Sequence, residues 1–184
     1  MEKIVIGLAG EMASGKGTIA AYLNESCGGS THRFSTILRD VATRMYLEEN
    51  RENLQKISTL FRQNFSEDIL SKVLFQDVHN DTSPVVAVDG VRRFSDIAYL
   101  KRMPNFRLIY VEADMEKRFE RIIKRGENVD DAGKTFEQFK KEQAQEAESQ
   151  ISALRAGADF VVDNNGTLAE LHAQIDRIIE KCKA

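Results

Sequence analysis

The sequence predicts an α/β protein in which a five-stranded parallel sheet is flanked by helices on both faces. Short runs rich in β-branched residues alternate along the chain with segments of helical periodicity. The runs are apolar on both faces, as strands covered on both sides by helices must be. Such alternation favours right-handed crossovers between parallel strands. The length of 184 residues suits a single domain, and no Pro-rich or Gly/Ser-rich linker divides the chain.

The individual elements follow from these patterns. Four buried strands are predicted at residues 3–8, 85–88, 107–111 and 160–162, with a weaker fifth strand near residues 33–35. Helical patterns cover residues 15–24, 36–49, 54–74 (as two or three helices), 95–103, 115–125, 135–147 and 167–183. Thr135 with Gln138 and Thr167 with Glu170 have the spacing of a capping box, and Ser95 is a candidate N-cap. Ligands of such sheets bind at the carboxyl ends of the strands, so functional residues are expected there.

Composition excludes several classes of function. The net charge of −3 argues against a nucleic-acid-binding protein, which usually carries a basic excess. No apolar run is long enough to predict a membrane span, and the N-terminal segment resembles a strand rather than a signal peptide. Cys27 and Cys182 are expected to be reduced thiols of a cytoplasmic protein. Three histidines lie too far apart for a metal site and are expected not to be ligands: His32, His79 and His172.

A glycine-rich segment at residues 10–18 carries the strongest functional signal. It reads Gly-Glu-Met-Ala-Ser-Gly-Lys-Gly-Thr, follows the first predicted strand and opens the first predicted helix. Backbone N–H groups of such a loop can point at phosphate oxygens, and the helix N-terminus adds free donors and partial positive charge. Its lysine would reach the β- and γ-phosphates of a nucleotide. We name this segment the phosphate loop, and we expect the following residues to bind the nucleotide: Gly10, Ala13, Ser14, Gly15, Lys16, Gly17 and Thr18.

The hydroxyl of the phosphate loop comes one position later than in the general motif, because Gly17 separates Lys16 from Thr18. This Gly-Lys-Gly-Thr variant resembles the nucleoside monophosphate kinases, adenylate kinase above all. The resemblance implies a P-loop NTP hydrolase fold, ATP as the phosphoryl donor and Mg²⁺ as a cofactor. It places Thr18 near the Mg²⁺ ion or the α-phosphate, directly or through water. A GTPase would need a guanine-reading Asn-Lys-x-Asp, which the sequence lacks.

A second motif, Asp-Gly-Val-Arg, begins at Asp89, where the strand predicted at residues 85–88 ends. A carboxylate at this edge can hold Mg²⁺ through water and orient the transferred phosphoryl group, although an Asp can also simply cap a turn. The motif is similar to the Asp-Gly-Phe-Pro-Arg of adenylate kinases. It is closer to deoxynucleoside monophosphate kinases and to a family of uncharacterised archaeal kinases. The resemblance implies that Arg92, rather than the neighbouring Arg93, grips the acceptor's phosphate, for which a guanidinium fork is suited.

The helical region at about residues 34–80 is expected to bind the acceptor. Its first residues, Phe-Ser-Thr-Ile-Leu-Arg, partly resemble the Ser-Thr-Gly-Asp-Met-Leu-Arg of adenylate kinases. This resemblance implies that Ser35 or Thr36 lies near the acceptor and that Arg39 binds its phosphate. A Leu-Phe-Arg stretch further on resembles one in deoxynucleotide kinases and implies a second acceptor-side residue, Arg62. Both arginines can equally be surface charges.

A short lid is predicted at about residues 121–140, where a charged helix leads into a polar stretch with glycines at both ends. Arg121 and Arg125 share one helix face, and Arg118 precedes Arg121 by three residues. Resemblance to P-loop kinases implies that Arg121 and Arg125 contact the donor's adenine or the transferring phosphate. A solvated, charged helix is the alternative.

The tail at residues 158–167 reads Ala-Asp-Phe-Val-Val-Asp-Asn-Asn-Gly-Thr and resembles the ending of dephospho-CoA kinases. It also resembles the ending of the archaeal kinase family. The resemblance implies that a loop containing Asn164 reaches the donor's adenine. A turn into the last helix explains the same residues equally well.

Together these features predict an ATP-dependent phosphotransferase that converts a nucleoside or deoxynucleoside monophosphate into the diphosphate and releases ADP. Base, sugar and oligomeric state are left open. Two alternatives are a dephospho-CoA kinase, in which Asp89 would act as a base, and a non-catalytic ATP-binding regulatory module. The expected catalytic residues are Lys16, Asp89, Arg92, Arg121 and Arg125. The expected Mg²⁺ ligands are Thr18 and Asp89.

Overall fold

The computed structural model describes residues 3–125, 133, 135–143 and 147–183, without the side chains of Arg51, Arg125, Glu142 and residues 147–149. The described residues form the strands β1 (Ile4–Ala9), β2 (Ser30–Arg33), β3 (Val85–Val91), β4 (Phe106–Glu112) and β5 (Phe160–Asp163). They form the helices α1 (Lys16–Cys27), α2 (Phe34–Arg44), α3 (Arg51–Asn64), α4 (Ile69–Asn80), α5 (Met115–Arg125), α6 (Phe136–Gln143), α7 (Ala147–Ala156) and α8 (Leu168–Lys183). Two short 3₁₀ helices, Phe94–Ile97 and Leu100–Arg102, connect β3 to β4.

All strands of the sheet are parallel, and their order is β2-β3-β1-β4-β5. In the central strand β1, Leu8 pairs with Asp89 of β3 on one side and with Ile109 of β4 on the other. The chain first builds β2 and β3 on one side of β1 and then crosses to build β4 and β5. The carboxyl ends of β1 and β3 therefore lie where the strand order reverses, which is where ligands of open α/β sheets bind. The predicted five-stranded parallel sheet flanked by helices is confirmed.

Each face of the sheet carries its own apolar core. One core packs α2, α3, α4 and α7 against the sheet through side chains that include Phe34, Leu74 and Leu154. The other core packs α1 and α8 against the opposite face through side chains that include Leu23 and Ile175. Burial of one such side chain stabilises the fold by about 1.5–3 kcal/mol. The two cores together hold the ends of β1 and β3 in fixed positions.

Two helices begin where the sequence predicts a capping box. At the start of α6, the Gln138 N–H donates to the Thr135 hydroxyl oxygen at 3.2 Å, and the Gln138 side chain accepts from the Thr135 N–H at 2.8 Å. At the start of α8, the Glu170 N–H donates to Thr167 Oγ1 at 3.2 Å, and the Glu170 carboxylate accepts from the Thr167 N–H at 2.7 Å. Both predicted capping boxes are confirmed.

The predicted α-helix at residues 95–103 is wrong. This segment forms the two short 3₁₀ helices instead, and the N-cap of the first is Arg93 rather than Ser95. The physical reason is Asp96, whose buried carboxylate accepts hydrogen bonds from the N–H groups of Arg92 and Arg93. These bonds fix a tight turn directly after β3 and cap the segment at Arg93, so the first 3₁₀ helix begins before the predicted N-cap Ser95.

Other predicted boundaries also moved. The weak strand lies at Ser30–Arg33 rather than at residues 33–35, and α2 begins at Phe34 and ends at Arg44. The helix predicted at residues 135–147 is described as α6 as far as Gln143, residues 144–146 lie outside the described residues, and α7 was not predicted beyond residue 147. Its Ile151 and Leu154 are buried against the sheet, but their apolar stripe is too short to be distinctive in the sequence.

Candidate functional site

The phosphate loop connects the carboxyl end of β1 to the N-terminus of α1. Three of its residues have a left-handed backbone: φ is 140° at Gly10, 59° at Ala13 and 110° at Gly15. This path turns the chain from the sheet directly into a helix, whose first N–H groups have no partner within the helix. The result is a set of backbone donors at the positive end of a helix dipole, a geometry suited to phosphate oxygens.

Two positions of the phosphate loop require glycine. A Cβ added to Gly10 would lie 2.3 Å from the carbonyl oxygen of Val111, and one added to Gly15 would lie 2.0 Å from Asn164 Nδ2. Both approaches are too close for any side chain, and both φ angles disfavour L-residues. The loop is therefore packed tightly against β4 and against the tail that follows β5.

Lys16 and Ser14 supply polar side chains inside the phosphate loop. Lys16 Nζ donates to the carbonyl oxygens of Gly10 at 2.6 Å and Glu11 at 2.8 Å, so its ammonium group lies against the loop backbone. The Ser14 hydroxyl is fully buried and has no hydrogen-bond partner among the described residues. An unpaired buried hydroxyl is rare in folded proteins and fits a loop that a polar ligand completes.

Two side chains from outside the phosphate loop, Asn164 and Arg121, both bind the carbonyl group of Ser14. The buried Asn164 donates from its amide to the Ser14 carbonyl oxygen at 2.7 Å. Arg121 of α5 donates to the carbonyl oxygens of Ala13 at 3.3 Å, Ser14 at 3.4 Å and Asn164 at 2.7 Å. The C=O and N–H of one peptide group point in opposite directions, so this arrangement turns the Gly15 N–H away from Asn164. Arg121 and Asn164 therefore meet on the loop backbone, and contact of either with an adenine stays a prediction.

Arg118 is a further residue of this site, to which the sequence assigned no role. It is 2% exposed, donates to the Met12 carbonyl oxygen at 3.3 Å and lies 2.9 Å from the Glu11 carboxylate. It also donates to the side chain of Gln143 in α6. One buried guanidinium thus joins α5, α6 and the phosphate loop. Its three-residue spacing from Arg121 was the only sequence signal, because both lie on one helix face.

The lid prediction is only partly covered by the described residues. Arg125 ends α5, but its side chain lies outside the description, as do residues 126–132 and 134. The helices on either side are in contact, since the rings of Phe119 and Phe136 lie 5.3 Å apart. The lid and the role of Arg125 therefore stay predictions.

Asp89 lies near the carboxyl end of β3, beside the phosphate loop. Its partner in β1, Leu8, is two residues before the loop, and β3 continues past Asp89 to Val91 instead of ending at residue 88. The Asp89 carboxylate is 16% exposed and lies 3.2 Å from Arg33 Nε. Thr18 is exposed in the first turn of α1. Carboxylate and hydroxyl oxygens are ligands that Mg²⁺ accepts, so both residues fit the predicted metal role chemically.

The predicted acceptor residue Arg62, in the last turn of α3, and the backbone that follows β3 meet at one carboxylate, that of Asp96. Arg62 is 8% exposed at its side chain, and its Nη2 lies 2.6 Å from Asp96 Oδ1. The other oxygen of Asp96 accepts from the N–H groups of Arg92 at 2.9 Å and Arg93 at 3.0 Å. Arg62 and Asp96 thereby fix the turn that carries Arg92. The exposed Arg92 guanidinium makes no hydrogen bond or ion pair with any residue that the structure describes.

Ser35 and Arg39 lie together on α2. Arg39 donates to the Ser35 hydroxyl at 2.9 Å, and its Nε lies 3.6 Å from the Glu49 carboxylate. Both charged side chains are about half exposed, which makes this a surface pair. No hydrogen bond or ion pair between described residues joins Arg39 to the Arg62–Asp96 pair, so the predicted acceptor residues belong to two separate polar networks.

The described residues contain no group of three or more His, Cys, Asp or Glu side chains arranged to hold a metal ion. None of their helices combines the length and the apolar character needed to span a bilayer. Cys27 and Cys182 are free thiols.

Comparison with known proteins places the chain in a family. A family model described as an AAA domain matches residues 6–148, which include the phosphate loop, Asp89, Arg118 and Arg121. A UPF0200 protein of Hyperthermus butylicus is 27% identical over 179 residues, covering 97% of this chain and 95% of its own length. A UPF0200 protein of Sulfurisphaera tokodaii is 28% identical over 179 residues and covers 96% of each chain.

Solved structures share the fold at low sequence identity. TT1252 from Thermus thermophilus superposes with a TM-score of 0.61 and 20% identity over 98% of both chains. Shikimate kinase from Bacteroides thetaiotaomicron superposes with a TM-score of 0.64 and 12% identity, covering 98% of this chain and 99% of its own. The parallel sheet with its phosphate loop is thus the fold of the P-loop kinases, and the chain belongs to the AAA domain family.

Proposed function

We propose that the chain is an ATP-dependent phosphotransferase whose acceptor is a nucleoside or deoxynucleoside monophosphate. The observation that carries this proposal is the phosphate loop, with its left-handed backbone at Gly10, Ala13 and Gly15 and its lysine at the helix start. The kinase names of structural neighbours support the reaction type, and the Asp-Gly-Val-Arg motif supports a phosphorylated acceptor.

On the donor side, the ammonium group of Lys16 would exchange the Gly10 and Glu11 carbonyl oxygens for phosphate oxygens. Ionised oxygens accept stronger hydrogen bonds than neutral carbonyls, so the exchange favours the bound nucleotide. The Gly15 N–H and the first N–H groups of α1 would add uncharged donors. Arg121 would hold the loop backbone in place through Ala13 and Ser14.

Mg²⁺ fits this site as an ion that is shared with the substrate. When bound, it would neutralise charge on the phosphates during transfer. Thr18 and Asp89 offer oxygen ligands, the latter through water. Because the described residues contain no three-residue metal cluster, phosphate oxygens and water would complete the coordination.

On the acceptor side, the exposed guanidinium of Arg92 would bind the phosphate of the monophosphate. An ionised acceptor oxygen would bond to the γ-phosphorus as the bond from that phosphorus to the β–γ bridging oxygen breaks, and ADP would leave. The acceptor oxygen carries no proton to be removed, so positioning and charge suffice. Arg39 and Ser35 are a second acceptor-side pair on α2, whereas Arg62 would act through Asp96 on the turn that carries Arg92.

The test is transfer of radiolabelled γ-phosphate from Mg-ATP to a panel of acceptors. The panel contains each nucleoside and deoxynucleoside monophosphate, dephospho-CoA, and shikimate, the ligand named for one structural neighbour. We expect transfer to one or a few monophosphates, lost by at least about 100-fold in Lys16→Ala. Lys56→Ala is the matched control, because Lys56 is exposed and pairs with Glu52 on α3.

Other outcomes would each replace the proposal with a defined alternative. Transfer to dephospho-CoA alone would make the chain a dephospho-CoA kinase. Binding of ATP with no transfer to any acceptor would favour the non-catalytic module. Transfer that survives Lys16→Ala at full rate would contradict the role of the phosphate loop.

A further inference from the structure

A cavity of about 360 Å³ lies between α7 and the turn that follows β3. Its walls are Arg93, Phe94 and Ser95 from that turn, Gln150 and Ala153 from α7, and Glu67 from the connection between α3 and α4. Its volume falls in the range of about 300–1,000 Å³ that is typical of small-molecule sites. No sequence motif pointed to it, because its walls come from three separate parts of the chain.

The cavity lies at the carboxyl ends of the strands, the same end of the sheet at which the phosphate loop begins. Arg93 and Phe94 come directly after the carboxyl end of β3, and Arg155 near the end of α7 is hydrogen-bonded to Glu112 at the carboxyl end of β4, at 2.8 Å. The exposed guanidinium of Arg92 belongs to the residue just before the cavity wall. A phosphate held by Arg92 would therefore leave the rest of its molecule close to this cavity.

The walls combine a flat apolar surface with neutral hydrogen-bonding groups. Phe94 is 48% exposed, and Lys101 lies over its ring at 5.4 Å from the centroid. Gln150 is exposed, and its amide makes no hydrogen bond to any residue that the structure describes. The two charged walls neutralise each other, since Arg93 Nη1 lies 2.9 Å from Glu67 Oε1. The cavity thus offers an aromatic ring for stacking, a hydrogen-bond donor and an acceptor, and its two charged lining residues are paired with each other.

A nucleobase matches these walls, because it has a flat face and an edge with both donors and acceptors. Bases in proteins stack on aromatic side chains and pair their edges with amides such as that of Gln. We infer that this cavity binds the base of the acceptor, with Phe94 against its face and Gln150 and Ser95 at its edge. The inference rests on the proposed function for the identity of the acceptor, and it makes Gln150 a specificity-determining residue.

The chain contains no tryptophan, which allows a direct binding test. Phe94→Trp places a single fluorescent indole in the cavity wall, at a half-exposed position that tolerates the larger ring. We expect AMP, GMP, CMP or dTMP to quench its fluorescence saturably, and ribose 5-phosphate to leave it unchanged. Tyr22→Trp is the matched control, because Tyr22 lies in α1 on the opposite face of the sheet. Its fluorescence should not respond to any monophosphate.

A second variant tests Gln150 without the new indole. Gln150→Leu should weaken binding of the preferred monophosphate about tenfold, measured by calorimetry, and leave ATP affinity within twofold. Gln55→Leu, an exposed glutamine on α3, should change neither value. Tight monophosphate binding with unchanged fluorescence and no effect of Gln150→Leu would overturn the inference, and so would absence of monophosphate binding. The proposed function can fail on its own. If monophosphates quench the Phe94→Trp fluorescence but never accept phosphate, the cavity still binds the base and the proposed phosphoryl transfer is wrong.

Discussion

The proposed donor and acceptor ends of the site are built in different ways. At the donor end, one continuous segment forms the phosphate loop, and Arg118, Arg121 and Asn164 already bind its backbone or its carboxylate. At the proposed acceptor end, the exposed guanidinium of Arg92 has no partner among the described residues, and only the turn that carries it is fixed, through the Arg92 N–H. The donor end is thus organised before any ligand binds. The acceptor end keeps its free charge for the ligand, which is where selectivity between acceptors would arise.

The largest loss of stability is expected from substitution of Arg62. This residue holds the turn that carries Arg92 in place, through Asp96, and does not itself bind the acceptor. Arg62→Ala leaves the buried Asp96 carboxylate without its ion pair, so the free energy of unfolding should fall by about 3–5 kcal/mol. Urea denaturation of the wild type and the variant measures this change in the free energy of unfolding. Arg39→Ala, at the exposed pair with Glu49, should cost less than about 1 kcal/mol. An Arg62→Ala protein of full stability that has lost only acceptor binding would restore the substrate role implied by the sequence.

A second effect concerns a charge cluster in the acceptor half, at the edge strand β2. Partial burial raises the pKa of Asp81, but hydrogen bonds from Ser30, the Ser83 N–H and His32 outweigh it and hold the pKa well below its usual value. The folded state thus favours the ionised carboxylate. The stability that this provides is present above pH 4 or so and is lost as the pH falls further.

The change that tests this cluster is Asp81→Asn. It should lower the unfolding free energy by about 1.5–3 kcal/mol at neutral pH, the usual contribution of a hydrogen bond to a charged group. It should also flatten the decline of stability as the pH falls below about 4, followed by urea denaturation at each pH. If the free energy of unfolding of Asp81→Asn fell with pH as steeply as that of the wild type, the Asp81 carboxylate would not contribute to the pH dependence of stability.

The third prediction probes the donor end through its backbone. Gly15→Ala forces a side chain into the amide of Asn164 at a φ of 110°, so unfolding should become easier by about 1–3 kcal/mol. Gly17→Ala is the control, since its added Cβ meets nothing within 4 Å. In a helix that change should be neutral or stabilising by up to about 1 kcal/mol. Equal effects of the two substitutions on thermal unfolding would contradict the tight packing of the phosphate loop.

The smallest expected effect is the coupling between α5 and the phosphate loop. Arg118→Lys keeps the charge but loses the planar fork that reaches Glu11, Met12 and Gln143 together. A double-mutant cycle with Glu11→Gln should give a coupling energy of about 0.5–3 kcal/mol. Additive effects of the two substitutions would mean that Arg118 does not act on the loop through Glu11.

The same contrast explains what the sequence could predict. The phosphate loop is a contiguous motif between a strand and a helix, so its residues and their order sufficed. The strands β1, β3 and β4 were found because each is a short run that is largely buried on both faces. The strands β2 and β5 are more exposed, and β2 was predicted near residues 33–35 instead of at Ser30–Arg33. Arg121 and Asn164 were assigned to the donor side, but their shared contact with the loop backbone could not be read from the sequence.

The rest depends on contacts between distant residues. Arg118 reaches Met12 across 106 positions, and Arg62 reaches Asp96 across 34 positions. The second contact involves Asp96, which lies within the helix predicted at residues 95–103 and caps the first 3₁₀ helix there. Patterns within a short stretch of sequence cannot identify partners that lie so far apart in the chain. The cavity beside Gln150 was missed for the same reason, because its walls come from three separate parts of the chain.

The most direct test of the central claim is calorimetric titration of Mg-ATP into the wild type, Lys16→Ala and Lys56→Ala. The account predicts that the wild type and Lys56→Ala bind with equal affinity. Lys16→Ala should bind roughly 10- to 100-fold more weakly, because it loses charge-assisted hydrogen bonds to the phosphates. Equal affinity in all three proteins, or no binding by the wild type, would contradict the claim that the phosphate loop is the donor site.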